Sequence, residues 1–427
     1  MALGVRRVLS YWLLPIVVAA WLWGIFIARW ATTTDEAEVG DRSFKVVALL
    51  LPLLAFPFVP ALRRTLSLNS ILSQKGFFVV LLVLMLAAVL SALGSKEPRT
   101  AVMQFVSFEI TLVLCFAFSN ALSDEQLEHT LSIFSAAGAV LLLLYYSIAE
   151  VGFNNRLWGI MNPNTIGMVA YAAVFSSLLF KNLWMMAAAG LPSLTVLLLT
   201  GSRSSTVALI IAVALWIAFR TNWVPRIATV LYACAVITIA LIPFYFNETA
   251  LQTILTWTSE QFAVQDPDRG VGTGATGRWD AWKATWRLFL EYPLLGVGYR
   301  LHQPHVEPFP NALNGYLAQL AEFGIIGTIP MAYFMMRGTR RLAAATQTER
   351  LSAWATAFLV GFYFYSCFEA ALNVIQLPTN LVALLFLVRG YLRPAPTLSF
   401  VLLANSPSQA FWRDVRARNV AKDVRSG

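Results

Sequence analysis

The chain has 427 residues, 58% of them hydrophobic and 12% charged, with a mean hydropathy of +0.66. Soluble domains carry roughly 25% charged residues, so a soluble fold with a large core is excluded. The formal charge of +9 sits largely in short loops and in Arg413, Arg416, Arg418, Lys422 and Arg425, without an aromatic-interleaved basic patch; it speaks for membrane topology and against nucleic acid.

A helix needs roughly 17–25 apolar residues to cross a bilayer. Taken in chain order, such stretches predict spans at Leu9–Trp30, Phe44–Leu62, Phe77–Leu93, Thr100–Ala121, Leu131–Ser147, Thr165–Phe180, Leu183–Thr200, Thr206–Phe219 and Ile227–Phe246. Three more lie at Tyr316–Met336, Leu351–Leu372 and Pro378–Leu392. The expected fold is thus an all-α polytopic membrane protein with about 12 transmembrane helices, boundaries being good to a few residues. It divides into spans one to nine over residues 1–246, a long loop over 247–315, spans ten to twelve over 316–392 and a basic tail over 393–427. Arg6 and Arg7 precede the first apolar run, which is too long for a cleaved leader and reads as a retained span.

Lys and Arg decide orientation. Arg63, Arg64, Lys75, Lys181, Arg220, Arg337, Arg340, Arg341, Arg350 and the tail all fall on the side of the N-terminus, which places both termini in the cytoplasm. The inner loop with Asp124, Glu125 and Glu128 lacks positive charge of its own. Cys115, Cys234 and Cys367 each lie in an apolar stretch and read as small buried hydrophobes rather than a disulfide or metal set.

The long outer loop runs from about Asn247 to Gly315. Within it Trp279, Trp282, Trp286 and Phe289 recur at helical spacing between Arg278, Lys283 and Arg287. That pattern predicts an amphipathic helix on the membrane surface or packed on the spans beneath, with Thr276 near its start and Pro293 at its end.

Topology gathers the chemistry-bearing residues on this same outer face. Arg156 and Asn162-Pro163-Asn164 come after the fifth span, Gly201-Ser202-Arg203-Ser204-Ser205 after the seventh, and Arg278 and Asn311 to Tyr316 belong to the long loop. An arginine at the membrane edge is ordinarily a snorkelling anchor. A planar guanidinium also donates two parallel hydrogen bonds to a phosphate, so two such arginines would suit a diphosphate. Glu109 in the fourth span and Glu369 near the outer end of the eleventh are functional candidates or helix-to-helix hydrogen-bonding groups. His302 and His305 read as exposed loop residues, and no histidine–carboxylate cluster has metal spacing.

The run Thr276-Gly-Arg-Trp-Asp-Ala-Trp-Lys, continuing to Glu291-Tyr-Pro-Leu-Leu-Gly-Val-Gly-Tyr299, resembles the shared loop of O-antigen ligases, O-antigen polymerases and O-oligosaccharyltransferases. Asn314-Gly-Tyr-Leu-Ala-Gln-Leu-Ala-Glu-Phe-Gly-Ile-Ile-Gly327 is similar to the next segment of that family, and the stretches around Arg156, Asn164 and Ser202 stand in the corresponding order. The resemblance covers about residues 156–327 and is closest to the lipopolysaccharide O-antigen ligase.

It implies a GT-C-type glycosyltransferase of the bacterial inner membrane working at the periplasmic face. Its donor would be an undecaprenyl-diphosphate-linked O-antigen, its acceptor the lipid A–core oligosaccharide, and it would need neither metal nor cofactor. By the same resemblance Arg203 and Arg278 hold the diphosphate, while Arg156, Asn164, Ser202, Asn314 and Glu369 contribute to substrate binding.

The resemblance also implies a histidine base immediately before the motif asparagine. Leu313 stands there, with no lone pair and no exchangeable proton. The chain then reads as an impaired form, such as an engineered variant made to trap the donor. Two other readings stay open: another base, with His305 or Glu307 as candidates, or Asn311 as the true motif asparagine, preceded by Pro310. Within the family the polymerase and the protein O-oligosaccharyltransferase remain alternatives, and a lipid-linked glycan transporter is the alternative of another class.

Overall fold

The structure, a computed structural model, describes residues 2–31, 59–148, 150–151, 157–158, 161–220, 278–306, 309, 312–372, 374–375 and 377–394. Most of the second expected span, the ninth span, Arg156, Thr276, Glu307, Asn311, Cys234 and the tail beyond residue 394 lie outside the described residues.

In chain order the helices are α1 (Ala2–Ala31), α2 (Pro60–Thr65), α3 (Leu68–Ser73), α4 (Lys75–Leu93), α5 (Pro98–Ala121) and α6 (Asp124–Ile148). Next come α7 (Pro163–Ser177), α8 (Leu183–Leu199), α9 (Arg203–Arg220), α10 (Arg278–Glu291), α11 (Gly315–Ala344), α12 (Arg350–Ser366) and α13 (Pro378–Leu392). Between α6 and α7 two short strands, β1 (Glu150–Val151) and β2 (Leu157–Trp158), pair antiparallel. Among the described helices α4, α5, α6, α9 and α11 are long and apolar enough to cross a membrane. Together with the apolar composition, this makes the chain a polytopic helical membrane protein.

Two short helices form the centre. Nearly every residue of α7 from Ile166 to Ser177 and of α13 from Pro378 to Val388 is buried. α7 is flanked by α6, α8 and α9, and α13 by α5 and α11. On the periphery Leu82, Leu86 and Leu93 of α4 or Leu143 and Leu144 of α6 stay exposed, as lipid-facing positions require, because lipid tails are as apolar as leucine. Helices of 15 residues reach only ~22 Å at 1.5 Å per residue, against a hydrocarbon core of about 30 Å. Both helices are thus shorter than the hydrocarbon core is thick.

Sequence details set several boundaries. α6 begins at Asp124 rather than Leu131 because Ser123 and Gln126 form a reciprocal cap: the Gln126 amide donates to Ser123 Oγ and the Ser123 amide to Gln126 Oε1. The acids of that turn find cations on other helices. Arg389 of α13 pairs with Asp124, and Arg350 of α12 meets Glu128 at 3.3 Å. The segment without positive charge of its own is therefore neutralised across helices. α12 stops at Ser366, short of the expected Leu372, and the chain turns through Cys367–Ala370 before re-entering as α13.

The expected tenth span is a broken helix. Gly324 has φ +59 and ψ −163, a conformation open to glycine, and a Cβ there would lie 2.3 Å from the Leu294 backbone. The segment Pro293–Gly298 runs into the gap and satisfies the loose ends. Its Val297 and Gly298 amides donate to the Ala321 and Glu322 carbonyls, and its Pro293 and Leu294 carbonyls accept from the Ile325 and Ile326 amides. The two family-like segments of the sequence are thus one unit, since each supplies hydrogen bonds the other lacks.

Candidate functional site

The ends of the short helices and the turn after α12 build the site. Asn162 caps α7 by accepting from the Asn164 amide at 2.9 Å, with Pro163 at the first helical position. That geometry points the Asn164 side chain at Glu369, to which Nδ2 donates at 2.6 Å. The same carboxylate oxygen accepts from Arg278, the first residue of α10, at 3.0 Å. Arg278 Nε donates to the Phe368 carbonyl at 3.2 Å. Two bonds from one guanidinium fix its plane. The ion pair is largely out of water, with side-chain exposures of 16% and 13%. Tyr365 donates to the Asn164 carbonyl at 3.0 Å and closes the cluster from below.

Asn314 is the N-cap of α11: its Oδ1 accepts from the Tyr316 and Leu317 amides at 2.9 and 3.0 Å. Its Nδ2 donates to the Cys367 carbonyl at 3.0 Å, tying the start of α11 to the turn that carries Glu369. The motif asparagine therefore has a structural task at both ends of its amide. Trp282 of α10 donates to the Leu313 carbonyl at 3.0 Å. Leu313 has φ +47, the left-handed region, where histidine and asparagine are several-fold enriched and leucine is unusual. A leucine there is held at a conformational cost of about 1–3 kcal/mol.

Arg203 is the first residue of α9. Preceding it, Ser202 is buried, bonds Ser205 Oγ at 2.8 Å and packs so tightly against Gly167 that a Cβ at that glycine would stand 2.6 Å away. The start of α9 is thereby fixed one helical turn below Asn164.

Asn164, Arg278, Asn314, Leu313 and Glu369 thus gather at one end of the helix layer, and Ser202 with Arg203 is anchored on the same α7 terminus. Several helix N-termini point the positive ends of their dipoles into this region. Beside them opens a cavity of about 150 Å³, lined by Thr165, Arg300, His302, Gly315, Glu322, Tyr365, Glu369 and Leu377 among others. The shortness of α7 and α13 leaves this recess, since Thr165 and Leu377 at their starts form part of its wall. An apolar groove of about 480 Å³ runs along α11 from Tyr316 to Arg340, with Tyr363 of α12 on its wall.

One expectation is corrected. His302 is not an exposed loop residue: it is buried, with Nδ1 2.6 Å from Glu322 Oε1 and Nε2 accepting from the Ala312 amide at 3.3 Å. The break at Gly324 places Glu322 where a histidine far from it in sequence can meet it. His305 is partly exposed, and burial, followed by nearby Lys96, lowers its pKa below the ordinary histidine value. Glu109 is buried inside α5, with Oε1 lacking a hydrogen-bond partner. Among the described residues no group of three His, Cys, Asp or Glu side chains is arranged to hold a metal ion.

Residues 187–332 match the family model described as O-antigen ligase. Over that third of its length the chain is similar to the O-antigen ligase family. The match runs from α8 through the break in α11, so the matched segment contains Arg203, Arg278, His302, Leu313, Asn314 and Glu322. Members of the family are membrane glycosyltransferase-like enzymes that handle lipid-linked glycans. Asn164 and Glu369, which hold Arg278 in place, lie outside the matched segment. A search of curated proteins found no match to the chain.

Proposed function

We propose that the protein transfers a glycan from undecaprenyl diphosphate to the lipid A–core oligosaccharide, as an O-antigen ligase with a GT-C-type fold. The observation that carries this reading is the Arg278 guanidinium, oriented by Glu369 and the Phe368 carbonyl beside a polar cavity and converging helix N-termini. The leaving diphosphate already carries its negative charge, so it needs preorganised cations rather than a proton. Arg278 and Arg203 supply them and Arg156 extends the anion-binding surface, while the buried Ser202 anchors the start of α9 that carries Arg203. Glu369, itself held by Asn164, and the Phe368 carbonyl set the guanidinium plane, and Asn314 fixes the start of α11 against the same turn. The apolar groove beside Tyr316 suits a long hydrocarbon tail, so the headgroup and the chain of one lipid have adjoining surfaces. The positive-inside distribution of Lys and Arg supports a site at the periplasmic face of the inner membrane with both termini in the cytoplasm.

A sugar hydroxyl has a high pKa, and general-base help is worth roughly 10²–10⁴-fold. Leu313 gives none, so this chain binds the donor but transfers slowly. Leu313→His restores a proton acceptor at a backbone conformation histidine tolerates. With purified protein and lipid-linked glycan, the histidine form is expected to raise transfer to lipid A–core by about 10²-fold or more. Transfer to a second lipid-linked glycan or to protein instead would reassign the acceptor. No transfer from either form to any of the three acceptors would refute the glycosyltransferase reading.

A further inference from the structure

The cavity holds a pair of side chains that diphosphate binding does not use. His302 and Glu322 have side-chain exposures of only 5% and 4%, yet both line the cavity next to Glu369, Gly315 and Arg300. Burying such a pair is expensive, and an apolar pair of similar volume is often as stable or more so. Stability alone is therefore a poor reason for it. Its geometry has a definite chemical sense. The carboxylate sits on Nδ1 and orients the ring, while Nε2 turns its lone pair to the Ala312 amide through a bond of 3.3 Å, at the long end of the range. An imidazole oriented by a carboxylate, with the far nitrogen available through a weak bond, is the arrangement that deprotonates a hydroxyl nucleophile. Ala312 is the residue next to Leu313, so Nε2 faces the segment where a base is missing. Glu322 is itself held by the broken helix: its carbonyl accepts from the Gly298 amide and, at 2.7 Å, from Ser91 Oγ.

We propose that His302, oriented by Glu322, accepts the proton of the acceptor hydroxyl during the slow transfer by this chain. The inference rests on the glycosyl-transfer reading above. In the step, the hydroxyl oxygen displaces the Ala312 amide from Nε2 and bonds to the anomeric carbon. The bond from that carbon to the phosphate oxygen breaks, and its electron pair leaves on the diphosphate. The hydroxyl proton passes to Nε2, Glu322 balances the imidazolium charge, and the proton then departs to water.

The competing role is a clamp that merely holds the turn at 312–314, and two backgrounds separate the roles. His302→Gln and Glu322→Gln are made in the full chain and again with Leu313→His. Transfer of lipid-linked glycan to lipid A–core is measured in each, and binding of undecaprenyl diphosphate serves as the check of folding. With Leu313, His302→Gln is expected to lower transfer by about 10²-fold, and Glu322→Gln by roughly tenfold. With Leu313→His the same substitutions cost less than tenfold, because the new histidine takes the proton. Equal losses in both backgrounds, or no loss with Leu313, would overturn the proposal while leaving the glycosyltransferase reading intact. Loss of diphosphate binding in both variants would also overturn it, by assigning the pair to the fold. Absence of transfer in every protein would overturn both.

Discussion

Glu369→Gln separates the structural and electrostatic roles of the Arg278 cluster, because its two effects have opposite signs. Glutamine keeps an acceptor oxygen for both Asn164 Nδ2 and Arg278, now 2.6 and 3.0 Å away, but removes the carboxylate charge. Charge-assisted bonds are roughly twice as strong as neutral ones, so the fold should lose about 1–3 kcal/mol, toward the low end because the guanidinium keeps its bond to the Phe368 carbonyl. A phosphate docking on the far side of the same guanidinium would stand ~6 Å from the carboxylate, where two unit charges repel by about 3 kcal/mol at an effective dielectric of 20. Water at the cavity mouth lowers this, and a gain of about 1–2 kcal/mol, or roughly 5–30-fold tighter diphosphate binding, remains. Thermal unfolding in detergent gives the first quantity and titration with undecaprenyl diphosphate the second. A variant that is less stable and also binds the lipid more weakly would refute the reasoning, since Arg278 would then need its carboxylate for binding rather than share its charge with it.

Other consequences are independent of that cluster. Gly324→Ala places a Cβ 2.3 Å from the Leu294 backbone at a positive φ. It is expected to destabilise the protein by several kcal/mol, seen as a sharp fall in folded yield and unfolding temperature. A mild effect would mean that the helix break relaxes easily. His305 has a lowered pKa through burial and Lys96. The unfolded chain therefore binds the proton first, and stability falls as pH drops through the ordinary histidine value of 6.5. His305→Gln should flatten that limb of the unfolding profile; an unchanged limb would assign it to other groups.

The architecture was legible where composition alone decides. The bounds of α13 at Pro378–Leu392 follow from a proline start and the apolar run Leu381–Val388. α8 begins one residue after Asn182, whose side chain caps it. Motif order and topology led us to expect Arg278, Asn164, Asn314 and Glu369 on one face, and hydrogen bonds link Asn164, Arg278 and Glu369 to one another and Asn314 to the same turn. What escaped was long-range. The pairing of His302 with Glu322 depends on Gly324 opening α11 and on Gly296, at φ +70, bringing the preceding loop against it. The glycines in Gly296-Val-Gly298 and Gly324 were the available signal, because positive φ marks a close approach of two backbones. The start of α6 was missed because its Ser123–Gln126 cap is polar and outside the apolar run that hydropathy detects. That Asn314 also caps α11 was not legible, because a cap depends on hydrogen-bond direction rather than residue type.

The central claim is that guanidinium groups from separate segments hold one lipid diphosphate. The most direct measurement is the dissociation constant of undecaprenyl diphosphate for the full protein and for Arg203→Gln, Arg278→Gln and the double variant. Each charge-assisted contact is worth about 1.5–3 kcal/mol, so each single change should weaken binding roughly 10–150-fold, with the double variant near background. Unchanged affinity in folded Arg203→Gln and Arg278→Gln proteins would contradict the account.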